Sequence, residues 1–280
     1  MSSPAAPHDP IAIALAEDVG SGDVTVEFFV DGGRRSAGRI FAKQASVLAG
    51  IQVAAEVFQR VDTTLDVKTL RADGDQLEKG ETVLRVEGLT RSILTAERVA
   101  LNFLQRLSGV ATLTRRYVEA VGGEMARILD TRKTTPGLRA LEKAAVVAGG
   151  GLNHRFGLFD MAMVKDNHLA ADADLGHLQQ AIRRFRAAHP GKRVELEADT
   201  LEQVRGFLTL EGVDVILLDN MAPAAMAEAV KLGQGRVQWE ASGGVTLESI
   251  PAIARTGVDF ISSGALTHSV PAIDFSLELL

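Results

Sequence analysis

The stretch that decides the fold reads RVELEADTLEQVRGFLTLEGVDVILLD and spans residues 193–219. It opens with a short apolar run, RVELE, and closes with a second one, VDVILLD, with helix-compatible sequence between them. Each run ends in a carboxylate, Glu197 or Asp219. Short apolar runs separated in this way are typical of a strand–helix–strand unit in a parallel sheet.

The same pattern continues on both sides of this stretch. The runs ARILD, MAMVK, VQWEA and VDFIS end at or just before Asp130, Lys165, Ser242 and Ser263. The six polar ends lie 35, 32, 22, 23 and 21 residues apart along the chain. Six such units in succession favour a closed or nearly closed barrel, which we assign to residues 111–270. An open doubly wound sheet remains an alternative, because spacing does not give the strand order.

Residues 1–110 predict a first α/β domain, in which helices and strands do not alternate regularly as they do in the barrel. IAIALAEDVGSGDVT predicts a short amphipathic helix, and VLAG, VKTL and TVLRVEG predict strands with glycine turns at Gly74 and Gly80. SILTAERVALNFLQRLSG predicts a helix that breaks at Gly109. The final run, IDFSLELL, alternates as in a strand, so we expect residues 271–280 to return to this domain.

Composition excludes several classes of protein. The 30 basic and 36 acidic side chains give a net charge of -6, which argues against a nucleic-acid partner. The absence of cysteine excludes disulfides, thiolate zinc sites and a cysteine nucleophile. No apolar run approaches membrane-spanning length, and MSSPAAPHDP lacks the pattern of a secretory signal. We therefore expect a cytoplasmic protein with no membrane partner and a loose tail over the first ten residues.

The predicted carboxyl ends of the strands carry an unusual number of functional groups. They read DTRKT, KDNH, ELE, LDN, ASGG and SSGA. One such end commonly just caps a helix. In a barrel, however, all these ends meet on the face that carries the active site, so the ensemble predicts a site there.

Two glycine turns predict a phosphate site. Ser242, Gly243 and Gly244 follow one strand, and Ser263, Gly264 and Ala265 follow the next. Small residues let a phosphate approach the main-chain N–H groups at a helix N-terminus. Each turn alone is equally consistent with a tight turn; their succession at the end of the barrel favours phosphate.

The segment from residue 130 to 168 is locally basic in an acidic protein, with six Lys/Arg against four Asp/Glu. Its candidate ligands for an anion are Thr131, Arg132, Lys133, His154, Arg155 and Lys165. Solvated loop charge is the alternative for Arg132 and Lys133, and a salt bridge with Glu197 or Asp219 is the alternative for Lys165.

The histidines do not predict a metal site. His154 is equally consistent with a packed loop residue, and we leave His168 and His268 outside the site. No pair of histidines has the spacing of zinc ligands.

Glu197 and Asp219 end adjacent predicted strands and should point into the mouth of the barrel. Carboxylates there would hold ribose hydroxyls, coordinate a magnesium ion carried by a diphosphate, or stabilise a cationic transition state. The alternative is that these carboxylates pair with the nearby lysines. Both arrangements are compatible, because the pairs could form without substrate and separate when substrate binds.

Long blocks of the chain resemble the quinolinate phosphoribosyltransferase family, whose members are carboxylating nicotinate-nucleotide pyrophosphorylases of NAD synthesis. The central block reads TRKTTPGLRALEKAAVVAGGGLNHRFGLFDMAMVKDNH. Similar blocks are ALAEDVGSGDVT, ERVALNFLQRLSGVAT, VELEADTLEQ, VILLDNM, EASGGV and FISSGALTHS. One departure is Trp239 before Glu240, where we expect an aliphatic residue. The resemblance covers nearly the whole chain.

The resemblance implies an α/β fold with an N-terminal α/β sandwich and an incomplete barrel of about six parallel strands, as in type II phosphoribosyltransferases. It implies a homodimer in which Arg98 reaches the partner's site. Carried over to this chain, Arg132, His154, Arg155 and Lys165 would contact the quinolinate carboxylates, with Thr131 and Lys133 beside them. The resemblance further implies that Glu197 and Asp219 bind ribose and magnesium, and that the turns at 242–244 and 263–265 bind the 5-phosphate of phosphoribosyl diphosphate.

The implied reaction needs magnesium with the diphosphate substrate and no organic cofactor. We expect Lys133, Lys165, Glu197 and Asp219 to be the catalytic groups. Two alternatives remain: a related enzyme that acts on nicotinate or resembles a molybdenum-associated pyrophosphorylase, and a non-catalytic anion-binding homologue. The set of cations around Arg132 favours a dicarboxylate substrate.

Overall fold

A computed structural model describes residues 9–165 and 174–280. His168 and most of the predicted N-terminal tail lie outside these ranges. Contacts group the chain into two units, each with its own sheet. The first unit holds the chain up to Arg115 with Thr134–Gly150 and Ser269–Leu280, and the second holds Arg116–Lys133 and Gly151–His268. These units differ from the domain limits proposed above at residues 111–115, 134–150 and 269–270, and those limits stay a prediction.

The helices are α1 (Pro10–Val19), α2 (Val24–Phe29), α3 (Ile51–Val61), α4 (Thr90–Ala120), α5 (Arg139–Ala148), α6 (Leu175–Ala188), α7 (Leu201–Phe207), α8 (Pro223–Gly233), α9 (Ile250–Ala254) and α10 (Ala265–His268). The strands are β1 (Arg35–Ala42), β2 (Ser46–Val47), β3 (Asp66–Thr69), β4 (Gln76–Leu77), β5 (Thr82–Leu89), β6 (Arg127–Leu129), β7 (Ala162–Val164), β8 (Val194–Ala198), β9 (Val215–Asp219), β10 (Gln238–Ser242), β11 (Phe260–Ser262) and β12 (Phe275–Leu279).

The first unit is built on an antiparallel sheet with the strand order β12-β1-β5-β3. The alternating run at the end of the chain forms β12, which pairs with β1 from Gly38–Leu279 to Ala42–Phe275. Helix α3 packs on β3 and β5 through a buried face that includes Val57 and Phe58. A separate two-stranded ribbon pairs β2 with β4.

Sequence patterns alone did not predict β1, although it lies at the centre of this sheet. Its buried positions alternate as Gly38, Ile40 and Ala42, so the period of two is present. Two of these three side chains are too small to give a hydrophobic signal, and glycine is poor at forming strands. Pairing on both edges supplies the stabilisation that the local sequence lacks.

The predicted break at Gly109 is wrong, because α4 runs through it for 31 residues. A Cβ atom on Gly109 would lie 2.5 Å from the Pro271 carbonyl oxygen and 2.9 Å from Val270 Cγ1. The glycine therefore makes room for the returning C-terminal segment rather than ending the helix. A glycine inside a helix costs about 1 kcal/mol in helix propensity, which is small beside the free energy that tertiary packing of a long helix contributes.

No helix among the described residues, α4 included, combines the length and apolar content needed to cross a membrane.

The second unit contains all six predicted strands in one parallel sheet with the order β6-β11-β10-β9-β8-β7. Each strand neighbours the next one in sequence, except that the first strand pairs with the last. A doubly wound sheet would instead reverse its order near the middle. Between β6 and β7 the described residues form no ladder, so the barrel is incomplete.

Trp239 is accommodated in the barrel rather than disturbing it. The residue is buried, and the main-chain N–H donates to Asp259 Oδ2 at 2.7 Å. On α8, a Cβ atom at Gly233 would lie 2.4 Å from the indole ring. The missing side chain at Gly233 therefore provides the volume that the larger ring occupies.

Candidate active site

A cavity of about 580 Å³ opens at the carboxyl ends of the barrel strands. This volume is typical of small-molecule sites. The predicted site residues that line the cavity are Thr131, Arg132, Lys133, His154, Arg155, Lys165, Glu197, Asp219, Ser242, Gly243, Gly244, Ser263, Gly264 and Ala265. The strand topology therefore brings together residues that lie up to 134 positions apart in the sequence.

Arg98 lies elsewhere, on α4 in the first unit, and its side chain is exposed. All residues that line the cavity belong to the second unit. Within the described residues of one chain, Arg98 is thus the predicted site residue that does not line the cavity. Next to it, burial raises the pKa of Glu97, and the positive charge of Arg98 partly opposes this rise.

Arg132 and Arg155 line the same cavity, and their positive charges repel each other. Arg155 is half-buried, and its pKa is lowered first by burial and then by the charge of Arg132. The carboxylates of Glu195 and Asp160 raise it by less than these two effects lower it. Neighbouring cations held in this way favour binding of an anion, which would relieve the repulsion.

Lys165 follows β7 and pairs with Glu197 at the end of β8. The predicted alternative of an internal salt bridge is therefore the arrangement seen here, and Glu197 is the partner. Glu197 is nearly buried, whereas the Lys165 side chain is 40% exposed and reaches the cavity. Asp219 ends β9 and accepts a hydrogen bond from the Asn220 amide at 2.7 Å. Two carboxylates and an ammonium group thus occupy one wall of the cavity.

The two glycine turns form the adjoining part of the lining, since β10 pairs with β9 at Ser242 and Asp219. Ser262 Oγ and Ser242 Oγ are 3.0 Å apart, which joins the ends of β10 and β11. The main-chain N–H of Ser263 donates to the Leu129 carbonyl at 3.1 Å, and Ser263 Oγ accepts from the Ala265 N–H at 3.3 Å. These bonds hold the start of α10 beside the first turn, as a phosphate clamp built from main-chain groups requires.

Substitution of Gly243 tests whether the first glycine turn binds phosphate. It has a φ of +83°, and a Cβ atom there would lie 2.4 Å from Asn220 Oδ1 and 2.8 Å from the Asn220 main-chain N. We expect Gly243→Ala to lower the affinity for phosphoribosyl diphosphate roughly tenfold or more, because both loops must shift. Calorimetric titration of the variant measures this.

A matched control for this substitution is Gly235→Ala. Gly235 also has a positive φ, +75°, but a Cβ atom added there would meet no atom of the described residues within 4 Å beyond its chain neighbours. Both variants should lose about 1–2 kcal/mol of stability from backbone strain, and Gly243→Ala should lose more because Asn220 must move. Only Gly243→Ala should lose affinity. Equal affinities in the two variants would remove Gly243 from the proposed clamp.

His154 lines the cavity but directs its ring nitrogens at protein groups. Its Nε2 lies 3.1 Å from Glu195 Oε2 and 3.4 Å from Glu240 Oε2. Its Nδ1 accepts the main-chain N–H of Arg155 at 2.7 Å. Together the three side chains form a donor set compact enough for a metal ion, which histidine spacing alone did not predict.

Sequence reasoning missed several residues of the cavity. His268, which the sequence analysis left outside the site, lines the cavity at the end of α10. Glu240 was also missed, although a carboxylate inside the apolar run VQWEA was a signal for it. Other cavity residues that were not predicted are Met163, Leu217, Asn220, Val245, Thr246 and Ser262. Apolar members such as Met163 and Leu217 carry no sequence signal that separates them from the core.

A second cavity of about 480 Å³ lies at the opposite, amino-terminal ends of the strands. Its polar side chains are already engaged: Arg193 donates to Gln238, and Asp214 pairs with Arg186. The functional face of a barrel is the carboxyl end, so the first cavity is the candidate site.

Family models match almost the entire chain. Residues 23–108 match the quinolinate phosphoribosyl transferase N-terminal domain, and residues 110–278 match the C-terminal domain of the same family. The chain belongs to the quinolinate phosphoribosyltransferase family. This result confirms the resemblance read from the central block, TRKTTPGLRALEKAAVVAGGGLNHRFGLFDMAMVKDNH.

Individual members of the quinolinate phosphoribosyltransferase family agree with this assignment. A probable carboxylating nicotinate-nucleotide pyrophosphorylase of Bacillus subtilis is 45% identical over 94% of this chain and 90% of its own length. A mitochondrial decarboxylating quinolinate phosphoribosyltransferase of Nicotiana tabacum is 44% identical over 95% and 80%. The solved nicotinate-nucleotide pyrophosphorylase of Francisella tularensis superposes with a TM-score of 0.90 at 36% identity, over 96% of this chain and 94% of that one. The predicted fold class is thereby confirmed.

Proposed function

We propose that this protein joins quinolinate to phosphoribosyl diphosphate and releases nicotinate mononucleotide, carbon dioxide and diphosphate, a step of de novo NAD synthesis. One observation carries the proposal: a single cavity holds a cationic cluster, two glycine turns and two strand-end carboxylates. The two substrates are polyanions, so a site that joins them needs cations at both ends. The names of the relatives support the same reaction.

Quinolinate would lie against the cationic cluster. Its two carboxylates need two groups of donors, and Arg132 and Arg155 each present a planar fork suited to one. Lys165 would leave Glu197 and bind a carboxylate when the substrate enters. Thr131, Lys133 and His154 complete this part of the cavity. Met163 and Leu217 provide apolar surface for a pyridine ring.

Phosphoribosyl diphosphate would place its 5-phosphate on the turns at 242–244 and 263–265. Its ribose would face Glu197 and Asp219, which offer the hard oxygen ligands that magnesium prefers. The magnesium ion arrives with the diphosphate and neutralises part of its charge. His268, beside the second turn, adds a donor that we assign to the same phosphate region.

Catalysis then requires placement of charge rather than a covalent nucleophile. The pyridine nitrogen forms a bond to the anomeric carbon while the bond to diphosphate breaks, through a transition state with oxocarbenium character. The carboxylates of Glu197 and Asp219 stabilise that positive charge, and Lys133 and Lys165 hold the anions in line. When the 2-carboxylate leaves as carbon dioxide, the electron pair stays at C2 beside the new positive nitrogen. A proton added at C2 completes the product.

An assay of diphosphate and carbon dioxide release tests this proposal. With quinolinate, phosphoribosyl diphosphate and magnesium, we expect both products in equal amounts, and no turnover of nicotinate. A site built for two carboxylates leaves one set of cations unpaired when nicotinate binds, which lowers affinity strongly. Turnover of nicotinate with inert quinolinate would reverse the substrate assignment, and the absence of any turnover would favour an anion-binding protein.

The assembly and location of the protein remain proposals. We propose a homodimer in which Arg98 of one protomer serves the cavity of the other; the exposure of Arg98 on α4 supports this arrangement. A cytoplasmic location stays a prediction of the sequence.

A further inference from the structure

Two buried glutamates lie at the candidate site: Glu240 lines the cavity, and Glu195 lies outside its lining. Glu195 on β8 and Glu240 on β10 are 0% and 2% exposed, and both approach His154 Nε2. Three of their four carboxylate oxygens, Glu195 Oε1, Glu195 Oε2 and Glu240 Oε1, accept no hydrogen bond from the described residues, so the contact of Glu195 Oε2 with His154 is an ion pair. Buried carboxylates with unused acceptors are costly, so their presence calls for a reason beyond packing.

Their contacts lead to one main-chain segment, residues 154–155. The N–H of His154 donates to the fully buried Asp130 at 2.8 Å. The next N–H, that of Arg155, donates to His154 Nδ1 at 2.7 Å. The imidazole is in turn held at Nε2 by Glu195 and Glu240. Three carboxylates from three strands therefore fix the two residues that present the Arg155 guanidinium to the cavity.

The protonation state follows from this geometry. Burial lowers the pKa of His154. Close polar contacts with Glu195 and Glu240 and the negative charges of these carboxylates outweigh the effect of burial, and they raise the pKa of His154 to about 10. Burial and the charge of Glu240 likewise raise the pKa of Glu195. A proton on Nδ1 would oppose the N–H of Arg155, so the extra proton lies between Nε2 and Glu195. These two groups share it as one unit.

We propose that Glu195 and Glu240 are positioning residues for quinolinate recognition, which act through His154 to hold Arg155 in its binding orientation. The inference deepens the proposed function and depends on it. Neither glutamate is assigned a contact with the reacting atoms. A cation held by loop side chains alone would lose much of its affinity to disorder, whereas a fixed main chain presents the guanidinium ready for the anion.

Glu195→Met tests the proposal, because methionine has nearly the length of glutamate and removes the acceptor. We expect the dissociation constant of quinolinate to rise about tenfold while that of phosphoribosyl diphosphate changes less than about twofold. Glu195→Gln keeps an acceptor oxygen and should stay within about threefold of the parent protein. Removal of one partner of a buried ion pair is strongly destabilising when the other is left uncompensated, but Glu240 still faces His154 in this variant, so the loss of stability should stay below that of a fully unpaired charge, and thermal unfolding measures it.

A double-mutant cycle separates positioning from a general structural role. If Glu195 acts through Arg155, then Glu195→Met should weaken quinolinate binding no further in an Arg155→Ala background. Additive losses would overturn the proposal. Should Glu195→Met fail to fold, Glu240→Met removes the other carboxylate at His154 Nε2, and it enters the same cycle with the same expectation.

The controls distinguish this inference from the proposed function. Glu202→Met, at an exposed position of α7, should leave both affinities unchanged. If the parent protein binds no quinolinate, the proposed function fails and the inference falls with it. If the parent binds quinolinate and Glu195→Met binds it equally well, only the positioning role fails. A stoichiometric metal in the purified parent, lost in Glu195→Met, would overturn the role by making the carboxylates ligands.

Discussion

Replacement of Arg132 by alanine should abolish most of the affinity for quinolinate and leave the fold intact. Arg132 is exposed at the cavity, so its removal creates no void in the core. Loss of one charge-assisted partner in a desolvated site costs on the order of 2–5 kcal/mol, or roughly 30- to 4,000-fold in affinity. Removal of Arg132 also relieves the repulsion that lowers the pKa of Arg155, which should recover a small part of this loss.

Calorimetric titration with quinolinate measures the effect, and Arg132→Lys is the matched control. Lysine keeps the charge but not the planar fork, so its affinity should lie between those of the parent and the alanine variant. The thermal unfolding midpoint should be the same in all three proteins. Unchanged affinity in Arg132→Ala would take this residue out of the pocket.

The sequence predicted the barrel well because its strands obey a simple physical rule. A parallel strand is buried on both sides except at its carboxyl end, so it appears as a short apolar run with a polar terminus. Runs such as VDVILLD show this pattern clearly, and all six became strands of one sheet. The strand order required the structure, because pairing of β6 with β11 joins segments more than 130 residues apart.

The errors came from residues whose role depends on distant packing. Gly109 was predicted as a helix breaker from local propensity, whereas contact with Pro271 explains it. Strand β1 was missed because its inward side chains at Gly38 and Ala42 are small. Tertiary contacts override propensity in both places.

In the candidate site, too, local sequence predicted some residues, whereas others depend on tertiary contacts. Charged groups at strand ends, such as Lys165 and Asp219, were found because their position in a barrel implies their direction. Glu195 precedes Glu197 by two residues and shares its face of β8, so the alternation in RVELE contained the necessary signal. What the sequence lacked was the partner: only folding places His154 between Glu195 and Glu240.

If each site is shared between protomers, as proposed, then two inactive variants should restore activity when they form a mixed dimer. Arg98→Ala and Lys165→Ala should each lose activity by about two orders of magnitude or more, since each removes a cation from quinolinate recognition. Mixing the two inactive proteins under conditions that allow subunit exchange should restore about a quarter of the parent activity. Half of the dimers are then mixed, and each mixed dimer has one cavity with both cations intact.

This experiment depends on the location of the two residues in different units of the chain. Lys165 lines the cavity of the barrel, whereas Arg98 lies on α4 in the sandwich. A mixed dimer of Arg132→Ala with Lys165→Ala is the control: both residues belong to the same cavity, so every mixed site is defective and activity should stay low. Absence of rescue in the first mixture after proven exchange would show that Arg98 serves its own protomer or none, because complementation requires that each protomer supply the group that the other lacks. Rescue in the control would show instead that Arg132 and Lys165 do not serve one cavity.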